Sequence, residues 1–93
     1  MQHPRLAPVP NQIRFYRRRN NLRLCEVAKL AGLGSVAHLA QWEKGRKLPR
    51  LENALKLSAI IRCPVEVLFF DLYDAIRKDV AQKRHLLTQT RHG

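Results

Sequence analysis

"GLGSVAHLAQWEKGRKLP", residues 32–49, decides how this chain folds. Two glycines flank a leucine, an apolar run with one tryptophan follows, and a basic loop ends at proline. Gly32 suits the left-handed backbone position that closes a helix. Ser35 can accept an N–H at the start of the next helix, and Gly45 can close that one. Val36 to Lys44 therefore reads as a short helix with Leu39 and Trp42 facing inward. At 100° per residue its opposite side is centred on Ala37, Gln41 and Lys44, with Val36, His38 and Ala40 on the flanks.

Upstream, Leu24 to Ala31 has the inward set Val27, Ala28 and Ala31 at helical spacing. Ala28 is small where a second helix must cross closely. Two short helices joined by a glycine-containing turn, the second followed by Arg46, Lys47 and Arg50, have the layout of a helix-turn-helix. Before them, Asn11 can cap the helix "QIRFYRRR", in which Ile13 and Tyr16 share a face, and "NN" at 20 and 21 can stop it. Prolines at 4, 8 and 10 keep the first ten residues from being helical, and these read as a mobile basic arm.

Downstream, "LENALKLSAIIRC" places Leu51, Leu55, Ser58 and Ile61 at three- and four-residue intervals. Pro64 opens a short helix with Val65, Leu68 and Phe69. Asp71 can cap a last helix striped by Leu72, Tyr73, Ile76, Val80 and Leu87, and the tail "TQTRHG" is expected to fray. Period-two alternation and hairpin signals are missing. The expectation is an all-α protein in three parts: an arm at 1–10, a helix-turn-helix domain at 11–70 and a C-terminal helix and tail at 71–93.

The chain has 93 residues, which is enough for one core. Its 18 Lys and Arg against 7 Asp and Glu give a net charge of +11. Residues 1–50 carry eleven of the bases and two of the acids, so the surface that faces an anion belongs mainly to the first half. No run approaches the roughly 18 apolar residues of a spanning helix, and the N-terminus lacks the apolar block of a signal peptide. A soluble, cytoplasmic and nucleoid-associated protein is expected. Cys25 and Cys63 have no ligand-spaced neighbours and each reads as a small core residue, with no metal or cofactor implied.

The segments "NQIRFYRRRNNL", "EVAKLAG", "HLAQWEKGRKLP", "LENALKLSAI" and "PVEVLF" together resemble the Cro/CI-type, lambda-repressor-like DNA-binding domain of the XRE family, over about residues 11–70. Glu26, Ala28, Gly32, the Trp42-Glu43-x-Gly45 ending and Pro49 agree in register. The resemblance implies a compact five-helix bundle, to which the C-terminal helix is an extension, and a dimeric repressor on a pseudo-palindromic operator. It carries base contact to Val36, Ala37, His38 and Gln41. Two departures stand out: Leu24 occupies a position where the family often has a phosphate-binding Gln, and one extra residue, placed at Gly34, lies between Gly32 and Trp42.

Each residue type has its own chemistry in such a site. Gln41 can pair bidentately with adenine, whereas Val36 and Ala37 offer only apolar contact, suited to thymine methyl groups. His38 can donate to a base edge or a phosphate, or pack against the turn. Ser35, Lys44, Arg46, Lys47 and Arg50 around the helix, with Arg14 and Arg18 from the "RRR" helix, are the candidate phosphate contacts. Glu43 is expected to fix the following loop or pair with an arginine, and no acid, nucleophile or ligand near it suggests catalysis. Leu72, Tyr73, Ile76 and Val80 are the candidate dimer stripe. Two other readings have different partners: an antitoxin whose residues 71–93 also hold a toxin, and a basic RNA-binding or protein-interaction module.

Overall fold

A computed structural model describes residues 10–92; the arm expected at 1–10 lies outside the described residues except for Pro10. Six helices follow in order: α1 Ile13–Arg19, α2 Leu24–Leu30, α3 Ala37–Glu43, α4 Leu51–Ile61, α5 Val65–Leu68 and α6 Phe70–His92. The described residues contain no strand. Helices α1 to α5 surround one core of Ile13, Val27, Leu39, Trp42, Leu57, Ile61 and Leu68, with Ala28 and Ala54 at the close approaches. Tyr16 and Leu72 pack on its margin. The chain measures 56 × 28 × 20 Å, and most of α6 accounts for the long dimension, because 23 helical residues extend about 34 Å.

The first four helices all stop on a left-handed residue. These are Asn21 (φ 57°), Gly32 (φ 74°), Gly45 (φ 73°) and Arg62 (φ 54°). After α2, Gly32 N donates to Lys29 O and Leu33 N to Ala28 O; after α3, Gly45 N donates to Trp42 O and Arg46 N to Gln41 O. This paired bonding satisfies carbonyls that the helix leaves open. Side chains from elsewhere in the fold cover further end carbonyls: Lys56 Nζ donates to Ala31 O (3.3 Å) and Asn20 Nδ2 to Ile61 O (2.8 Å).

Several expectations are corrected. In α4 the core side consists of Ala54, Leu57 and Ile61, while Leu51 and Leu55 are 71% and 53% exposed. Apolar residues occupy so much of the circumference of α4 that spacing alone does not select a face. Asp71 does not cap α6, which begins at Phe70 and has Asp71 in its first turn. The segment "TQTRHG" is helical through His92, and the Thr88 and Thr90 hydroxyls donate to the carbonyls of Arg84 and Leu86. Cys63 is buried as expected but Cys25 is exposed; burial raises the Cys63 thiol pKa and holds it protonated. Among the described residues no helix is long and apolar enough to cross a membrane.

Candidate nucleic-acid interface

Helix α3 is held from behind by two buried anchors, Leu39 (fully buried) and Trp42 (6% exposed). It starts one residue later than expected, with Val36 and not Ser35 as its N-cap, and Ser35 Oγ accepts from Ala37 N at 3.3 Å. Its C-terminal end is gripped by α1. Asn11 Nδ2 donates to Trp42 O at 2.9 Å while Asn11 Oδ1 accepts from Ile13 N, so this side chain, one residue before the Gln12 N-cap, joins the start of α1 to the end of α3.

A second tie is ionic. Arg17 Nε donates to Glu43 Oε2 at 2.5 Å and Arg17 Nη2 to Glu43 Oε1 at 3.2 Å, and Arg17 Nη1 also donates to Leu22 O. Both side chains are more than nine-tenths buried. Planar guanidinium and carboxylate meet at two points, which fixes orientation as well as distance. The run Arg17–Arg19 is therefore not one uniform basic face: Arg17 turns inward, while Arg18 and Arg19 remain exposed. Arg14, 66% exposed, lies 3.9 Å from Glu43 Oε1.

The outward side of α3 carries the expected residues in an uneven way. Val36, Ala37 and His38 are exposed, whereas Gln41 and Ala40 are half-buried. His38 lies over Trp42, the rings 6.3 Å apart and inclined by 28°, so this imidazole also shields the tryptophan. Lys44, Arg46, Lys47 and Arg50 are all exposed, and no acid interrupts residues 44–51. Beside them is a cleft of about 180 Å³ lined by Arg14, Leu24, Ala40, Glu43 and Lys44. Leu24 thus lies at the cation-lined edge of α3, where its side chain brings no hydrogen bond. Ser35 is exposed at the entry to α3.

The residue placed as extra in the turn, Gly34, is exposed. Gly34 has no neighbour within 4 Å of where a Cβ would stand, and only Gly32 of the two turn glycines needs a positive φ.

A family model described as helix-turn-helix matches residues 13–68, more than half of the chain. The chain belongs to the Cro/CI-type helix-turn-helix family. The match runs from the first residue of α1 to the last of α5 and leaves α6 outside it. As a member of the lambda-repressor-like family, the chain is a DNA-binding helix-turn-helix regulator. No curated protein matches it. In family terms α2 and α3 are the two helices of the motif, with α3 in the recognition position.

Sequence reasoning expects Glu43 to pair with an arginine, and the partner is Arg17; it does not find the hold of Asn11 on the end of α3. Residues 1–50 contain only two acids, Glu26 and Glu43. Each holds a helix end: Glu26 Oε1 accepts from Arg23 N at 2.7 Å at the start of α2, and Glu43 accepts from Arg17 at the end of α3. The Glu43 contact is buried and the Glu26 contact exposed, so in this basic segment the two acids mark helix ends and one of them marks the buried pair.

Proposed function

We propose that this protein is a repressor that binds a pseudo-palindromic operator as a dimer, with residues 11–70 reading DNA and residues 71–93 pairing the two copies. The observation that carries the DNA half is the display at the two ends of α3. Val36, Ala37 and His38 are exposed at its entry, and past the buried Glu43 side chain the exposed Lys44, Arg46, Lys47 and Arg50 follow with no acid among them. A helix presented in this way enters the major groove and reads bases mainly from its N-terminal part. Val36, Ala37, His38 and Gln41 are the base-contacting set. Ser35, Lys44, Arg46, Lys47, Arg50, Arg14 and Arg18 contact phosphate. Arg17, tied to Glu43, contributes no phosphate contact.

Repression follows by occupancy of the promoter, without covalent chemistry. Dimerisation supplies what one domain lacks, since a half-site of a few base pairs discriminates poorly against a genome of competing sequence. On α6, Tyr73, Ile76 and Val80 are about half exposed (44%, 52% and 48%), and Leu72 packs inward as the link between stripe and core. The same stripe supports a second reading, an antitoxin in which residues 71–93 also hold a toxin.

The test is selection of bound sites from random duplex DNA by the wild type and by Gln41→Ala. The wild type is expected to enrich a two-fold symmetric site, and the variant to relax one position in each half. Enrichment of no sequence overturns specific readout; an unchanged site overturns the role of Gln41. If about five phosphates are neutralised, the log–log salt slope is about −4 to −5, and a shallow slope overturns the phosphate assignments.

A further inference from the structure

Helix α3 is seven residues long, about 10 Å, and its two core anchors, Leu39 and Trp42, lie within one turn of each other. Anchors so close fix the depth of the helix in the body better than its tilt. The tilt is set at its far end. Trp42 O accepts from Gly45 N at 3.0 Å and from Asn11 Nδ2 at 2.9 Å, so both of its acceptor positions are filled. The carbonyl before it, Gln41 O, accepts from Arg46 N at 3.0 Å.

Asn11 is itself held at two points. Beside it, Gln12 N donates at 2.8 Å to the carbonyl of Leu68, the fully buried last residue of α5. Its Oδ1 is fixed by Ile13 N at 3.1 Å, which leaves Nδ2 directed at α3. A strut thus runs from the end of α5 through residues 11 and 12 to the end of α3. Arg17, in the last turn of α1, holds the next residue, Glu43. Two ties, one before the first turn of α1 and one in its last, resist a pivoting of α3 that either alone would allow.

We propose that Asn11 is a positioning residue for DNA readout: it sets the tilt of α3 and with it the place at which Gln41 meets the base pairs. The proposal rests on the DNA reading above and adds to it a residue that acts through another. A binding constellation needs supporting hydrogen bonds that hold it to within about 0.5 Å. The half-buried amide of Asn11 supplies one without adding a charge beside the cations.

Asn11→Ser separates the two bonds of this side chain, because a serine hydroxyl can accept from Ile13 N as in a local turn but is too short to reach Trp42 O. Wild type, Asn11→Ser and Asn11→Ala are titrated with the duplex enriched by site selection and with an unrelated duplex of equal length. Thermal midpoints check that each variant is folded at the assay temperature. Asn11→Ser is expected to bind the selected duplex about tenfold more weakly, the size of one lost base contact, and the unrelated duplex as the wild type does. Asn11→Ala, which loses both bonds, should show the same loss with a lower midpoint. In a Gln41→Ala background Asn11→Ser should cost little, since the reader it places is gone. Equal weakening on both duplexes, or none on either, reduces Asn11 to a structural role and overturns the proposal; losses that add in full with Gln41→Ala overturn the route through Gln41. A wild type that enriches no duplex, or binds both alike, overturns the DNA reading and this proposal with it.

Discussion

Arg17 and Glu43, 26 residues apart in sequence, meet through two hydrogen bonds at 2.5 and 3.2 Å with both side chains buried. The pair ties the first helix to the last residue of the recognition helix, next to the point where the chain turns into its basic loop. The loop is therefore positioned by an interaction buried inside the protein.

Removing one partner leaves a buried charge uncompensated. Glu43→Gln is expected to lower stability by about 3 kcal/mol, read as a fall in urea midpoint with unchanged slope. The double change Arg17→Met with Glu43→Leu should cost clearly less, because no charge is then stranded. Equal losses in the single and double variants would show that the pair matters for shape rather than charge.

The left-handed helix ends make a set of predictions of opposite sign. Gly32→Ala forces a Cβ into φ 74° and is expected to cost about 1 kcal/mol or more, whereas Gly34→Ala meets open space at an ordinary φ and should be neutral or stabilise by up to about 1 kcal/mol through the unfolded chain. Arg62, a non-glycine at φ 54°, carries the strain that a Cβ brings to this region. Arg62→Gly should raise stability by about 0.5 kcal/mol. Thermal midpoints of the three variants measure the order directly.

Helix α4 offers a check on its own register. Leu57, fully buried, is expected to lose about 2–5 kcal/mol on truncation to Ala, while Leu55→Gln on the exposed side should stay within about 0.5 kcal/mol. A large loss at Leu55 would mean that the face is covered in solution.

The start of α2 is sensitive to acid. The hydrogen bond from Arg23 N holds the Glu26 carboxyl below the usual range, so the folded state favours its ionised form. That contribution is present above the ordinary glutamate pKa and is lost as pH falls through the lowered value. The difference in urea midpoint between wild type and Glu26→Gln is therefore expected to shrink as the pH is lowered through the carboxylate range. A difference that stays constant with pH would assign the effect of Glu26 to packing.

Much of this fold is legible in the sequence because its local signals agree. Gly32 and Gly45 mark helix ends, Ala28 marks a close crossing, and Leu39 with Trp42 fixes the inward side of α3. Where sequence reasoning fails, two arrangements compete and only tertiary context chooses between them. Leu51–Leu55 and Ala54–Leu57 are both good helical spacings, and the close packing of α4 selects the second. Arg17 is indistinguishable from Arg18 as one base among many; it turns inward because Glu43 lies within reach of that side of α1. His38 has the chemistry of a DNA contact, yet its stacking on Trp42 arises from a four-residue spacing that sequence shows but does not rank.

The connection from α2 to α3 is fixed at its two ends, by Leu33 N on Ala28 O and by Ser35 Oγ at Ala37 N, and open in the middle at Gly34. Gly34 itself is exposed, while the helix beyond it is held by Leu39, Trp42 and the grip on its far end. The turn is thus the place where a change of length is expected to be tolerated best, and the thermal midpoints of variants with one residue added or removed at Gly34 measure how far that tolerance goes.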